Sequence, residues 1–177
     1  MQYILKNGIS MQIKKPCKGE YESISDLIKL LSDESDNFPF SSEDFNISSE
    51  NMGKYIEYLN SRPNSIFYVA EVENKIVGIA YLEGGKRERT FHCTNLGLGV
   101  LNKYNNLGIG SMLTSSLIEY ARTGEHIAKI DLQVRSDNKK AIEIYKKSGF
   151  VLEGKSRRAL FIDGEFYDYI NMGVIID

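Results

Sequence analysis

The sequence predicts an α/β fold with seven strands and about four helices. Stretches with alternating or continuous apolar residues indicate strands, apolar positions three and four residues apart indicate helices, and turn residues separate these segments. The predicted order is β-α-α-β-β-β-α-β-α-β-β. The chain has 177 residues, which suits one domain, and no linker rich in Pro, Gly or Ser interrupts it. We therefore expect a single domain over residues 1–177.

The first half of the chain supplies a strand, two helices and two further strands. Alternating apolar residues predict a strand within residues 1–15. A polar loop broken by Pro39 separates two amphipathic helices. Their apolar faces are Ile24, Leu27, Ile28 and Leu31 in the first helix, and Met52, Tyr55, Ile56 and Leu59 in the second. Residues 65–82 predict two strands around the turn Glu73-Asn74-Lys75.

The second half alternates strands and helices and then ends in a hairpin. A long strand over residues 90–101 includes the sequence LGLGV, and a helix begins near Gly108. The next strand is predicted over Lys129–Arg135, and it is followed by the helix that contains AIEIYKK. Residues 150–162 and 165–176 predict a final hairpin that turns at Asp163-Gly164.

Composition indicates an ordinary cytoplasmic protein. Apolar residues make up 42% and charged residues 26% of the chain. No apolar run approaches the roughly 20 residues of a membrane span, and the apolar part of the N-terminus is too short for a secretory signal. Cys17 and Cys93 lie far apart and form neither a disulfide framework nor a metal-ligand cluster. We therefore expect no membrane association and no bound metal.

The charges are unevenly distributed along the chain. Residues 20–60 contain ten acidic and two basic residues, a net charge of -8, so the remainder carries +6 of the total of -2. This acidic segment argues against a nucleic-acid-binding face near the N-terminus. The positive remainder includes the segment described next.

A glycine-containing turn between a strand and a helix predicts an anion-binding site. The strand ends at Val100 and the helix begins near Gly108, so backbone N–H groups at the helix N-terminus lack partners and carry the positive end of the helix dipole. Gly108 and Gly110 have no Cβ, which lets a ligand approach the backbone closely. Alternatively, the two glycines provide only a turn and a packing contact.

Two motifs in this half resemble those of the Gcn5-related N-acetyltransferase (GNAT) superfamily. The first places Asn105, Gly108 and Gly110 after Val100, at the spacing of the family's Gln/Arg-x-x-Gly-x-Gly/Ala loop. The second comprises Asn138, Ala141, Tyr145 and Gly149-Phe150. Together the motifs span residues 96–154, and Asn105 and Asn106 depart from the family pattern. Two motifs in the family's order are more specific than either alone. The resemblance implies the GNAT-like fold, a central, mixed but mostly antiparallel sheet of seven strands flanked by about four helices.

The resemblance implies a site for acetyl-CoA. Backbone amides from Asn106 to Ser111 would hold the pyrophosphate, and Leu98 and Val100 would pair with the pantetheine arm. The implied cofactor-binding set is Leu98, Val100, Asn105, Asn106, Leu107, Gly108, Ile109, Gly110, Ser111, Asn138 and Tyr145. Because Asn105 replaces a cationic side chain, charge would come from Lys103, Lys139 or Lys140, unless these lysines only form a solvated surface.

The resemblance also assigns one catalytic role and leaves another open. Tyr145 would protonate the departing thiolate as a general acid, although its helical face could instead serve packing alone. Asn138 would contact the pantetheine arm, cap its helix, or do both. Some relatives carry a Glu at the position of Gln133, whose amide cannot act as a base. Water chains, Glu83 or His92 are the remaining candidates for the general base.

The family's N-terminal helices commonly form the acceptor site, and here they are acidic. We therefore expect a cationic amine acceptor, such as a polyamine, an aminosugar or a peptide N-terminus, unless the charges form only a solvated surface. An acyl-CoA-binding regulatory domain is the alternative function. A nucleotide-binding module has less support, because the loop lacks both a Gly-Lys-Ser/Thr ending and a G-x-G-x-x-G pattern. Exposed strands of the C-terminal hairpin favour a homodimer.

Overall fold

The computed structural model describes residues 1–41, 43–44 and 47–177. Ser42, Phe45 and Asn46, in the predicted polar loop, lie outside the described residues. The described strands are β1 (Gln2–Ile4), β2 (Ser10–Lys14), β3 (Ile66–Val72), β4 (Lys75–Gly84), β5 (Cys93–Val100), β6 (Lys129–Arg135), β7 (Val151–Ile162) and β8 (Glu165–Ile175). The described α-helices are α1 (Tyr21–Glu34), α2 (Ser49–Ser61), α3 (Ile109–Thr123) and α4 (Lys139–Lys147).

All eight described strands belong to one mixed sheet with the order β1-β2-β3-β4-β5-β6-β8-β7. Neighbouring strands are antiparallel except for β5 and β6, which are parallel. The predicted fold class is therefore confirmed, but the predicted count of seven strands is wrong. Residues 1–15 form a hairpin rather than one strand, because the chain turns at Gly8 (φ +82°) and pairs β1 with β2. A three-residue strand is too short to give a periodic signal.

Most of the other predicted elements are confirmed. β6 spans Lys129–Arg135 as predicted, and the turns before β4 and β8 place Asn74 and Asp163 at positive φ. The strand predicted from residue 90 begins only at Cys93, because residues 88–90 form a short 3-10 turn. Within the described residues, no helix combines the length and apolar character needed to cross a bilayer.

The helices pack on the two faces of the sheet. α1 and α2 bury their predicted apolar faces against β3 and β4, around Phe67 and Val69. On the opposite face, α3 buries Leu113 and Leu117 with the remaining apolar side chains of the sheet. The burial of these faces provides the main favourable contribution to folding. The site described below lies between the two layers.

The sheet opens between its two parallel strands. β5 pairs with β6 only at Cys93, Thr94 and Asn95, whereas β4 pairs with β5 as far as Val100. The edge of β5 that faces β6 is therefore unpaired from Leu96 onward, and β6 continues its pairing with β8 alone. Unpaired strand edges offer backbone N–H and C=O groups to another chain or ligand.

Candidate active site

A cleft of about 990 Å³ occupies the opening between β5 and β6. Its volume suits an extended ligand, since most small-molecule sites have volumes of about 300–1,000 Å³. The cleft is lined mainly by residues of α1 and the loop after it, α2, β3, β4, β5, the loop before α3 and the first turn of α3, β6, α4 and β8. The cleft therefore touches both layers of helices.

The two faces of β5 differ in a way that follows its LGLGV sequence. Leu96, Leu98 and Val100 belong to the core on the α3 side of the sheet. Gly99 faces α1 and the loop after it, and Gly97 faces the Tyr81 side chain of β4. A Cβ at Gly99 would lie 2.8 Å from a methyl group of Leu31, and one at Gly97 would lie 2.3 Å from the Tyr81 ring. Side chains from the α1 side can lie directly on β5 only because these positions are glycine.

The N-terminus of α3 has no side-chain cap. Gly108 precedes the helix with φ +94°, a conformation that favours glycine, and Asn106 has φ +65°. By contrast, α2 and α4 are capped by Ser48 and Asn138, whose side chains accept hydrogen bonds from backbone amides. Among the described residues, the first amides of α3 therefore have no protein acceptor and face the cleft with the helix dipole behind them.

The tyrosine of the second motif lies at the cleft with its ring buried. Tyr145 is 8% exposed, and its ring packs against Phe150 with 5.7 Å between centroids. Burial raises the pKa of its phenol to about 12. Within the described residues, the Tyr145 hydroxyl has no hydrogen-bond partner. Every fully buried polar side-chain atom among these residues does have such a partner, so the hydroxyl is not fully buried and opens into the cleft. A phenol in this setting remains protonated and can donate its proton.

The cleft brings together nearly all of the predicted cofactor residues. Those that line it are Leu98, Val100, Asn105, Asn106, Gly108, Ile109, Gly110, Ser111, Asn138 and Tyr145. Leu107 does not line it, because its side chain packs against the core. The Asn138 side chain caps α4 by accepting from the Ala141 amide at 3.2 Å, as predicted. Of the three predicted lysines, only Lys140 lines the cleft, and Lys6 and Lys147 are lining lysines that sequence reasoning missed.

Aromatic side chains cover the α1 and α2 side of the cleft. We call them the aromatic wall: Phe38, Phe40, Tyr55, Phe67 and Tyr81. The Phe67 and Tyr81 rings stack at 5.9 Å, Tyr55 meets Tyr81 edge-on at 6.5 Å, and Phe38 lies 5.7 Å from Phe40. Sequence reasoning missed this wall. The alternating glycines of β5 were the available signal, since they leave space for rings on one face.

A family model for the acetyltransferase (GNAT) domain matches residues 23–171. The chain belongs to this family. GNAT enzymes take an acetyl group from acetyl-CoA, so the predicted family, enzyme class and co-substrate are all confirmed. Within the described residues, no group of three His, Cys, Asp or Glu side chains is arranged to hold a metal ion.

Known proteins resemble this GNAT chain in sequence and in structure. The L-amino acid N-acetyltransferase AaaT of Escherichia coli K12 is 32% identical over 112 residues, which cover 63% of this chain and 69% of AaaT. A GNAT acetyltransferase from Streptococcus pneumoniae superposes with a TM-score of 0.91 at 28% identity, covering 94% of this chain and 99% of that protein. A phosphinothricin acetyltransferase from Sinorhizobium meliloti, in complex with acetyl-CoA, gives a TM-score of 0.83 at 15% identity, over 94% and 88% of the two chains. This last likeness concerns the fold alone.

Gln133 and the two side chains that are candidates for the general base, Glu83 and His92, lie in different surroundings in this GNAT domain. Gln133 lines the cleft, and its amide donates to the Asn171 side chain at 3.0 Å. Glu83 lies behind the aromatic wall, where its carboxylate accepts from the Tyr55 hydroxyl at 2.9 Å. Burial, the neighbouring Tyr81 and this bond raise the pKa of Tyr55 above its usual value. His92 does not line the cleft. Glu83 is thus connected to the cleft through Tyr55.

The acidic residues lie mostly outside the cleft. Of the described acids in residues 20–60, only Glu34 lines it, and its carboxylate accepts from the Asn102 backbone amide at 2.8 Å. The loop after α1 is also hydrogen-bonded. The Asp36 carbonyl accepts from the Arg135 guanidinium at 2.9 Å, and the same guanidinium donates to the Asp137 carboxylate. The end of α1 is therefore bonded to both sides of the opening.

Proposed function

We propose that the cleft transfers an acetyl group from acetyl-CoA to a primary amine by direct attack, with Tyr145 as the general acid. One observation carries this proposal. The uncapped N-terminus of α3 and the hydroxyl of Tyr145 open into the same cleft, beside the unpaired edge of β5. An anion site, a strand edge and a proton donor are the three features that binding and cleaving a CoA thioester requires.

The donor would lie along the α3 side of the opening. The free amides from Asn106 to Ser111 would bind the pyrophosphate, and Leu98 and Val100 would contact the pantetheine arm along the β5 edge. Asn138 would contact the same arm through its remaining hydrogen-bonding capacity while it caps α4. Lys140 and Lys6 supply positive charge at the lining of the cleft, which compensates for the asparagine at position 105.

Groups that line the cleft would account for the bonds formed and broken and for the proton given to the thiolate in the acyl transfer. The neutral amine attacks the thioester carbonyl, so a C–N bond forms and an oxyanion develops, for which N–H groups on the β5 edge are the donors. Collapse of this intermediate breaks the C–S bond, and Tyr145 passes its proton to the thiolate. The nitrogen loses its extra proton, and the phenol is reprotonated before the next turnover.

Tyr55 and Glu83 support a route for the proton that the amine loses. Tyr55 lines the cleft and already donates its hydroxyl proton towards Glu83. When the phenol oxygen accepts a proton from the ammonium, it can pass its own proton to the Glu83 carboxylate. Gln133 cannot serve in this way because its amide has no basic lone pair. Glu83 would thus act as the base through Tyr55.

The acceptor is an ammonium in neutral solution, and the negative field of residues 20–60 would raise its concentration at the cleft. Polyamines, aminosugars and peptide N-termini all remain predicted acceptors. Two relatives from Escherichia coli are named for L-amino acids and for spermidine.

Within the same proposal, residues 1–177 form one domain and work in the cytoplasm. A homodimer would be built on the exposed Val151 and Leu152 of edge strand β7.

An acyl-transfer screen tests this proposal against regulatory binding. Acetyl-CoA is incubated with the protein and a panel of polyamines, aminosugars, amino acids and peptide N-termini, and free thiol is followed while calorimetry measures acetyl-CoA affinity. Enzyme-dependent release of thiol that requires one amine class supports the proposal. Tight binding without thiol release for any of the amines would instead favour a regulatory acyl-CoA-binding domain.

A further inference from the structure

We infer that the acceptor carries a single amino group on an aromatic or branched apolar body, which packs against the aromatic wall. This inference rests on the proposed acetyl transfer and adds the chemical class of the acceptor. It starts from the glycine face of β5. Any molecule that approaches the thioester from that face must pass the rings that lie on Gly97 and Gly99.

The aromatic wall reaches the unpaired strand directly. The ring of Phe38 would lie 2.9 Å from a Cβ at Gly99, and the ring of Tyr81 covers Gly97 in the same way. Both glycines lie in the part of β5 that has lost its pairing with β6. The rings therefore stand next to the strand edge where the thioester is proposed to bind, and not at the outer rim of the cleft.

The surroundings of these rings are also apolar. Ile28, Leu31, Met52 and Ile79 line the same side of the cleft. Phe67 is 1% exposed and Met52 is 3% exposed, so this side is backed by well-packed core. Such a surface gains free energy when an apolar group leaves water, and transfer of a side chain the size of Phe improves binding by roughly 10- to 100-fold.

The charges of the cleft suit one ammonium but not several. Glu34 is already bonded to the Asn102 amide, and Arg135 holds the loop after α1. Glu83 is reached only through the Tyr55 hydroxyl, which offers one route for one proton. Glu143, the other described lining acid, lies on α4, which packs on the α3 side of the sheet and not beside the rings. A second ammonium lying on the rings would therefore lose water with no acidic partner other than Glu34 on its own side of the cleft, and that loss is costly. The acidic segment, residues 20–60, would attract the amine to the cleft but would not pair with the further ammonium groups of a polycation bound within the cleft.

A series of amino acid amides tests the inference, because the reacting amine stays the same while the side group changes. Blocking the carboxylate removes a second charge that would complicate the comparison. We expect kcat/KM for L-phenylalaninamide and L-leucinamide to exceed that for L-alaninamide by about 10- to 100-fold. L-Lysinamide and spermidine should show no such gain.

Two variants distinguish packing on the wall from a general effect on the enzyme. Phe40→Ala should lower the preference for phenylalaninamide over alaninamide by about tenfold, with acetyl-CoA affinity unchanged. Tyr58→Ala is the matched control, since Tyr58 lies on α2 outside the cleft, against Arg62 and Lys86. This control should keep the wild-type preference. If Phe40→Ala fails to fold, the amide series on the wild-type enzyme decides alone.

The possible outcomes are separable. Higher kcat/KM for lysinamide or spermidine than for phenylalaninamide would overturn the inference while leaving acetyl transfer in place. Equal kcat/KM across the series would overturn it as well. Acetyl-CoA binding with no thiol released for any amide or polyamine would overturn the transfer itself, and with it this inference.

Discussion

The two faces of β5 line one cleft but build their halves of it in different ways. On the Leu96, Leu98 and Val100 face, the proposed donor half relies on backbone amides before α3, a strand edge and one buried tyrosine. On the Gly97 and Gly99 face, the proposed acceptor half consists of side chains from α1, the loop after it, α2, β3 and β4. A nearly constant molecule can be held by backbone, whereas a variable acceptor is selected by side chains.

From this difference we expect the two halves to respond differently to substitution. In the donor half, many side chains can change if the backbone conformation is kept, and the glycines before α3 allow that conformation. In the acceptor half, the backbone only needs to leave room, and each ring contributes its own contact. If the two halves are built in these different ways, a substitution can disturb one half and leave the other intact.

Removal of the Tyr145 hydroxyl should have the largest effect on turnover. Tyr145→Phe is expected to lower kcat by about 100-fold, because the leaving thiolate loses its proton donor. The dissociation constant for acetyl-CoA should hardly change, since the ring and its contact with Phe150 remain. Tyr68→Phe removes another partly buried phenol on the same face and should leave kcat unaltered. An unchanged kcat for Tyr145→Phe would make Tyr145 a packing residue.

The same hydroxyl should contribute to alkaline unfolding. Burial raises the folded-state pKa of Tyr145 to about 12, whereas the phenol of an unfolded chain titrates near ~10. This contribution to stability is complete below the unfolded pKa and is lost as the pH rises from about 10 to about 12. Denaturant melts at pH 9 and pH 12 should show a decline that is about 2–3 kcal/mol smaller for Tyr145→Phe. An equal decline would argue against burial of the phenol.

The turn before α3 can be tested through its backbone conformation. Gly108→Ala places a Cβ at φ +94°, which costs about 1–2 kcal/mol, although the nearest side-chain atom would be 3.6 Å away. We expect a lower free energy of unfolding and weaker acetyl-CoA binding, measured by denaturation and calorimetry. Gly124→Ala, at the other end of α3, is the control, since Gly124 has φ -101°. Equal effects of the two substitutions would remove any special role of the turn.

Single substitutions on opposite faces of β5 should separate the two halves. Gly99→Ala would bring a Cβ to 2.8 Å from Leu31 and 2.9 Å from Phe38, so the aromatic wall must shift. We expect the acceptor KM to rise about fivefold, a loss of roughly 1 kcal/mol, with acetyl-CoA affinity held. Leu98→Ala, on the other face, should instead weaken acetyl-CoA binding and leave the acceptor KM unchanged. Parallel changes in both constants, for both variants, would mean that the cleft behaves as one undivided surface.

The donor half could be predicted from the sequence because its residues lie in short, contiguous sequence motifs. Gly108, Asn138 and Tyr145 lie in short motifs, and the structure brings all three to one cleft. The acceptor half could not, since Phe38, Tyr55 and Tyr81 come from three separate elements whose approach depends on tertiary packing. The first strand was also missed, because β1 has only three residues and pairs locally with β2.

The most direct test of the proposed transfer is a single-turnover experiment with enzyme in excess over acetyl-CoA. Coenzyme A thiol and acetylated amine are measured together, with and without phenylalaninamide. We predict that thiol appears only when the amine is present, and that each thiol is matched by one molecule of N-acetylated product. Thiol release at the same rate without the amine, or full binding of acetyl-CoA with no acetylated product, would contradict direct transfer across the two faces of β5.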